Sequence, residues 1–178
     1  TNKSDLVLMT DADAMFELDT VPNLLKWFTD KSIGSVGATP KRIGQRIEEE
    51  GHRTLFSMVR HLESKIDSTP FLEGSCMVWR TSSLNIEALH VTSNADDAQI
   101  ATNVRIHGLR VIQDSDAHFI DHAPFERKEH SRQKVRRAQG LQRHLLRQRE
   151  HYYNRRLGRF TPILRQEAAL HILTPLLL

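Results

Sequence analysis

Three groups of side chains have the types and spacing to do chemistry. The first is Asp11-Ala12-Asp13, which closes the run Asp5-Leu-Val-Leu-Met-Thr10. Two carboxylates one residue apart, at the end of an apolar run, can share a divalent cation, a hard ion that takes oxygen ligands. The plainer account is an acidic turn leading into a helix cap. The second group is Asp96-Asp97, in the first turn of an expected helix. Carboxylates there are favoured by the helix dipole, which would keep them ionised and suit Asp97 to accept a proton. Simple charge matching at a helix start explains them as well. The third is Gln133-Lys-Val-Arg136-Arg137. The guanidinium fork fits phosphate oxygens, although a basic helix is more often a solvated or membrane-facing surface.

These groups need elements to hold them. Residues 5–10 read as a buried strand, so Asp11 and Asp13 fall at its carboxyl end, where open α/β sheets bind ligands. Asp19 to Pro22 starts a helix with Leu25 and Phe28 on one face, and Trp27 and Phe28 read as core. A strand follows over 35–39. The apolar spacing of Leu55, Val59, Leu62 and Ile66 predicts a helix over 46–66. Glu73 to Trp79 reads as a strand leaving a turn. Thr81 or Ser82 would cap a short helix through Leu89, and Ser93 or Asn94 a second one ending at Gly108. Two short strands are expected at 109–113 and 118–122. From Ser131 to Arg149 the pattern is helical, with Val135, Ala138, Leu141 and Leu145 as a thin apolar stripe. Strands alternating with helices argue for an α/β sandwich.

Composition bounds the function. With 178 residues, 39% apolar and 26% charged, the chain is a folded domain. The lone Cys76 excludes a disulfide framework and any multi-thiolate metal site; it reads as a packed small hydrophobe. The net charge of +3 hides a division. Residues 1–126 hold 12 Lys+Arg against 19 Asp+Glu, whereas residues 127–159 hold 12 against 2. A segment of +10 implies an anionic partner.

Taken in order, the motifs resemble glycosyltransferase family 2, in its membrane-associated branch of polysaccharide synthases and lipid-linked sugar transferases. The resemblance rests on Asp11-Ala-Asp13, Glu73-Gly-Ser-Cys-Met-Val-Trp-Arg80, Asp96-Asp97-Ala-Gln-Ile100 and Gln133-Lys-Val-Arg136-Arg137, and covers roughly residues 5–145. It implies an α/β/α sandwich of the GT-A type in residues 1–125, of which this chain holds the C-terminal part. A basic interfacial helical segment would follow over 126–160, and the start of an apolar membrane-proximal segment over 161–178. It also implies inverting transfer of a sugar from a nucleotide-diphospho-sugar to a saccharide or polyprenyl-lipid-linked acceptor, at the cytoplasmic face of the cell membrane. Asp97, next to Asp96, would be the base. Asp11 and Asp13 would hold Mg2+ or Mn2+, with His122 as a further candidate ligand. Gln133, Arg136 and Arg137 would meet the diphosphate or acceptor, and Glu73, Gly74 and Ser75 would line the acceptor side. Two departures stand out. Arg137 takes the place of the family's tryptophan, which tilts the expectation from a processive synthase towards a transferase adding one or a few sugars. The family's base-binding strands would precede Thr1, so the chain reads as a fragment.

Two other classes fit less well. A haloacid-dehalogenase-type phosphatase also begins with a strand ending in D-x-D, but Met15 stands where Thr or Val is usual. A nucleic-acid-binding or membrane-binding module would use the basic helix. It leaves both carboxylate pairs unexplained, and a body of −7 would repel a duplex; no nucleic-acid partner is expected.

Overall fold

The computed structural model describes residues 4–43, 47–122 and 127–174, with backbone alone for 42–43, 47–53, 121–122 and 127–130. Five strands, β1 (Leu6–Thr10), β2 (Met15–Phe16), β3 (Ile33–Ile43), β4 (Cys76–Arg80) and β5 (Arg110–His122), form one sheet in the order β1-β4-β3-β5-β2. The pair β3–β5 is parallel and the other pairs are antiparallel. The helices are α1 (Thr20–Lys26), α2 (Ile47–Ile66), α3 (Asp96–Ile106), α4 (Arg127–Arg147) and α5 (Phe160–Ala168).

Successive side chains of a strand point to opposite faces, and here both faces are apolar. Cys76 and Val78 join Leu24, Val36, Ile112 and Phe119 in a core under α1. Met77, between them, joins Leu72, Ile100, Ala101, Val104 and Val111 in a core under α3. The sheet is thus covered on both sides, in three layers. Cys76 is fully buried, and burial pushes its thiol up to about 12, so it is packing and not chemistry.

A third core fastens the basic segment. Leu145 of α4 and Phe160, Leu164 and Ala168 of α5 close over Phe71 and Ala98. His144, also fully buried, places Nε2 3.0 Å from Thr102 Oγ1 of α3. Burial, with Arg147 and His90 adding, pushes this imidazole down to about 4, so it sits in the interface neutral. Only the C-terminal half of the expected stripe is used: Val135 and Ala138 remain exposed. Within 161–178, the described residues continue as α5 and a π-helical turn (Ala169–Leu173), folded onto this core. Among the described residues no helix is long and apolar enough to cross a membrane. Tyr152 is anchored by its hydroxyl to Leu145 O (2.5 Å), while Tyr153 stands exposed beside Arg165.

Several local expectations need correction. The strands expected at 109–113 and 118–122 are one strand, β5, bent where its register with β3 shifts between Gly37 and Thr39. Buried Asp114 sits in the bend, accepting a hydrogen bond from Trp27 Nε1 (2.9 Å). Trp27 is therefore a partly exposed hydrogen-bond donor in a 3-10 turn (Trp27–Thr29), and Leu24 fills the core where Leu25 was expected to contribute. The helix expected through Leu89 is two 3-10 turns, Thr81–Ser83 and Ile86–Ala88, the second opened by Asn85, whose side chain accepts from Glu87 N. Neither Ser93 nor Asn94 caps α3; Ala95 holds that position.

The largest correction concerns α2. Its apolar stripe faces outward, with Leu55 57%, Leu62 55% and Ile66 53% exposed. The polar face turns inward because the body offers it partners. Ser64 Oγ accepts from Gln113 N (2.9 Å), Arg110 donates to Ser64 O (2.7 Å), and Arg105 pairs with Asp67 just past the helix end (2.6 Å). Glu63 is buried on this face with Oε2 unpartnered, near the equally buried Glu167 of α5. Burial, then the Glu167 charge, pushes Glu63 up to about 8.

Two outcomes follow. Gly34 lies at the first register shift of β3, and a Cβ there would stand 2.5 Å from Val104 Cγ1 and 2.7 Å from Leu109 Cβ. Gly34→Ala is expected to lower stability by about 1–3 kcal/mol in urea unfolding, the usual cost of overpacking. The Glu63 carboxyl, raised in the folded state, contributes stability that is full below about pH 4.5 and lost as pH rises through about 8. Melting temperatures across pH 5–9 should therefore fall less steeply for Glu63→Gln than for the wild type.

Candidate functional site

A cleft of about 300 Å3 opens at the carboxyl end of β1. Met9 and Asp11 form one wall, the turn Glu73-Gly74-Ser75 before β4 forms the floor, and Asn94 to Ala98 bring in the first turn of α3. Arg60 reaches in from α2, and Arg136, Arg137 and Leu141 from α4. Residues from five separate stretches of sequence thus share one cavity.

Two close approaches build it. The turn at 73–75 is closed by Cys76 N donating to Glu73 O (3.1 Å), which sets Gly74 directly against Asp97. A methyl group on Gly74 would lie 3.5 Å from Asp97 Cβ and 3.7 Å from Oδ2. On the other side, a methyl group on Gly140 would lie 3.0 Å from the Asn94 carbonyl oxygen. The absence of a side chain at Gly140 lets α4 lie against the segment that leads into α3. Arg136 and Arg137, one turn before it, come into the cleft as a consequence.

The electrostatics single out Asp97. Burial pushes its carboxyl up to about 6, and the Glu73 and Asp96 charges add to this. The hydrogen bond from Ala98 N (2.7 Å) and the charge of Arg60 act the other way without cancelling it. The dipole argument from sequence expected this group to stay ionised; burial raises its carboxyl against the dipole but leaves it mostly ionised at neutral pH. A carboxyl near 6 is well matched to taking a proton near neutrality. Asp96 is exposed at the rim. Glu73 is bound by Arg60 in an ion pair. Ser75 Oγ donates to Asp11 Oδ2 (2.6 Å), which orients that carboxylate.

Of the residues singled out by sequence, Asp11, Glu73, Gly74, Ser75, Asp96, Asp97, Arg136 and Arg137 line the cleft. Asp13 does not; it is exposed on the turn after β1. Gln133 sits on α4 about one turn before Arg136, half-buried and outside the lining. The side chain of His122 lies outside the described residues. Among the described residues no three His, Cys, Asp or Glu side chains gather to cage a metal. That donor set fits Mg2+ or Mn2+ in one particular way, since Mg2+ is commonly held by one or two carboxylates plus substrate phosphates and waters. Asp11, fixed by Ser75 at the cleft wall, is such a carboxylate. Arg60 was not singled out in advance. Its signal was present in the polar spacing Arg60, Glu63, Ser64 and Asp67, which marks a helix face as clearly as the apolar stripe does.

No protein-family model and no curated protein matches the chain. Among solved structures, it is similar to the mannosyltransferase PcManGT from Pyrobaculum calidifontis in complex with GDP-Man and Mn2+, with a TM-score of 0.80 and 28% identity. The likeness covers 96% of this chain and 46% of that one, so the chain spans a little under half the length of that enzyme. Along almost its whole length, the chain is therefore similar in structure to part of a glycosyltransferase.

Proposed function

We propose that the protein is an inverting, metal-dependent glycosyltransferase of family 2 on a GT-A fold, using a nucleotide-diphospho-sugar donor. The observation that carries this reading is the meeting, in one cleft, of a strand-end carboxylate, a buried carboxyl near 6 and two arginines. The likeness to a mannosyltransferase bound to GDP-Man makes GDP-mannose the first donor to test.

Asp97 accepts the proton of an acceptor hydroxyl while that oxygen forms its bond to the anomeric carbon. The bond from that carbon to the diphosphate oxygen breaks on the opposite face, so the nucleoside diphosphate leaves with the electron pair and configuration inverts. Arg136 and Arg137 offer guanidinium groups to the developing charge on the diphosphate. Arg137 stands where the resembled family has an aromatic ring, and so supplies charge where that family could stack a sugar. Gln133 orients phosphate or acceptor from the next turn of α4. The turn Glu73-Gly74-Ser75 borders the acceptor, and Ser75 steadies Asp11. Asp11 at the cleft wall, with Asp13 on the turn beside it, would hold a divalent cation, which would supply charge to offset that on the leaving group. The acceptor is a saccharide or a polyprenyl-linked sugar, and the basic face of α4 lies towards an anionic membrane surface on the cytoplasmic side.

The test measures GDP release from GDP-mannose by the full-length protein, with oligosaccharide or polyprenyl-phosphate acceptors. EDTA should abolish turnover and Mn2+ restore it. Asp97→Asn should lower kcat about 10²–10⁴-fold, the usual worth of a general base. Because the base works ionised, kcat/KM should rise with pH through about 6 and then level off. Undiminished turnover in Asp97→Asn would sink the assignment.

A further inference from the structure

We propose that Arg60 is a positioning residue for the base: it holds Glu73 beneath Gly74 and supplies the positive charge that keeps Asp97 ready to accept a proton. The inference rests on the reading of Asp97 given above and adds a residue that none of the recognised motifs contains.

The geometry is a short chain of contacts. Arg60 enters the cleft from the inward, polar face of α2 and binds the Glu73 carboxylate through Nη1. Glu73 precedes Gly74, whose backbone lies against Asp97. Arg60 is thus anchored on one element and reaches the base through a second. Its own position is held from behind. Arg60 O accepts from Ser64 Oγ (2.6 Å), and the same face of α2 is tied to β5 through Ser64 and Arg110.

The charges give the arrangement its purpose. Glu73 from the turn, Asp96 from α3 itself and Arg60 from α2 act on Asp97, and Asp11 from the end of β1 and Arg136 and Arg137 from α4 line the same cleft. Three of these are carboxylates. Arg136 and Arg137 are exposed and committed to the diphosphate side in the proposed reaction, so Arg60 is the cation bound within the carboxylate group. Glu73 and Arg60 then act on Asp97 in opposite directions: the carboxylate discourages ionisation and the guanidinium favours it. Glu73 acts on Asp97 the more strongly of the two, and Arg60 moderates it, so removing either should tip the balance.

That opposition gives a test that simple loss of structure cannot imitate. The ionisation of Asp97 is followed by carboxyl 13C NMR in the wild type and in Arg60→Gln, Arg60→Lys and Glu73→Gln, alongside the pH profile of kcat/KM with GDP-mannose. Arg60→Gln should move the midpoint up, by less than Glu73→Gln moves it down, because the Glu73 charge acts on Asp97 the more strongly. Arg60→Lys should stay near the wild type, and Glu73→Gln should move the midpoint down. The loss of kcat/KM in Arg60→Gln should be greatest below the wild-type midpoint and shrink as pH rises, whereas a purely structural defect would depress it equally at every pH. Shifts of the same sign in Arg60→Gln and Glu73→Gln, or equal behaviour of the Gln and Lys variants at position 60, would overturn the inference. A wild-type protein that consumes no donor would count against the glycosyltransferase reading, while the NMR midpoints would still decide the role of Arg60.

Discussion

The acidic and basic parts of the chain meet at one backbone contact, Gly140 of α4 against Asn94 ahead of α3. The contribution of α4 to the cleft depends on that approach. A helix of high positive charge laid on a body of opposite sign is drawn in by long-range attraction, but attraction fixes no register. Register comes from shape. Gly140 admits the neighbouring backbone, Leu145 fills the third core, and neutral His144 meets Thr102 in the same interface. With α4 seated this way, Arg136 and Arg137 come to face carboxylates from β1, the 73–75 turn and α3.

The same seating decides the chemistry of Asp97. At a helix N-terminus the dipole stabilises a carboxylate by about 0.3–1 kcal/mol. Moving a carboxyl from its ordinary 3.8 to about 6 corresponds to about 3 kcal/mol in the other direction. Burial under the flanking elements, with Glu73 close by, therefore wins, and the helix terminus only moderates it. A carboxylate in the same helix position but left in water, as Asp96 is, has the dipole without the burial. Two adjacent aspartates thus differ in environment because one faces the cleft floor and the other its rim.

Much of this was legible in the sequence, and the limits have physical causes. Asp11, the 73–75 turn, Asp96-Asp97 and Arg136-Arg137 could be found because each motif is local and their order along the chain is specific. The sheet and its layering followed from short apolar runs separated by helices. What escaped were tertiary matters. Leu109–Gln113 and His118–His122 merged because β3 runs beside both and tolerates the bend between them. The α3 caps went elsewhere because Asp97 itself takes the Ala98 N–H. Asp13 and Gln133 belong to motifs whose partners line the cleft although they do not, since spacing says which residues are near in sequence and not which way a turn throws them.

The inversion of α2 carries the same lesson furthest. A stripe of Leu55, Leu62 and Ile66 would ordinarily be buried, at about 1.5–3 kcal/mol for each side chain removed from water. Its exposure means that the opposite face gains more by turning inward. That face brings Ser64 to the β5 backbone and Arg60 to Glu73, and Asp67, just beyond the helix, to Arg105. Turning it outward would strand Glu73 without the Arg60 guanidinium inside the cleft, and would leave Arg110 without the backbone acceptors at Ser64 and Asp67. The orientation of α2 is therefore set by the partners that the cleft and β5 offer its polar face, and its outward stripe is the visible trace of that choice.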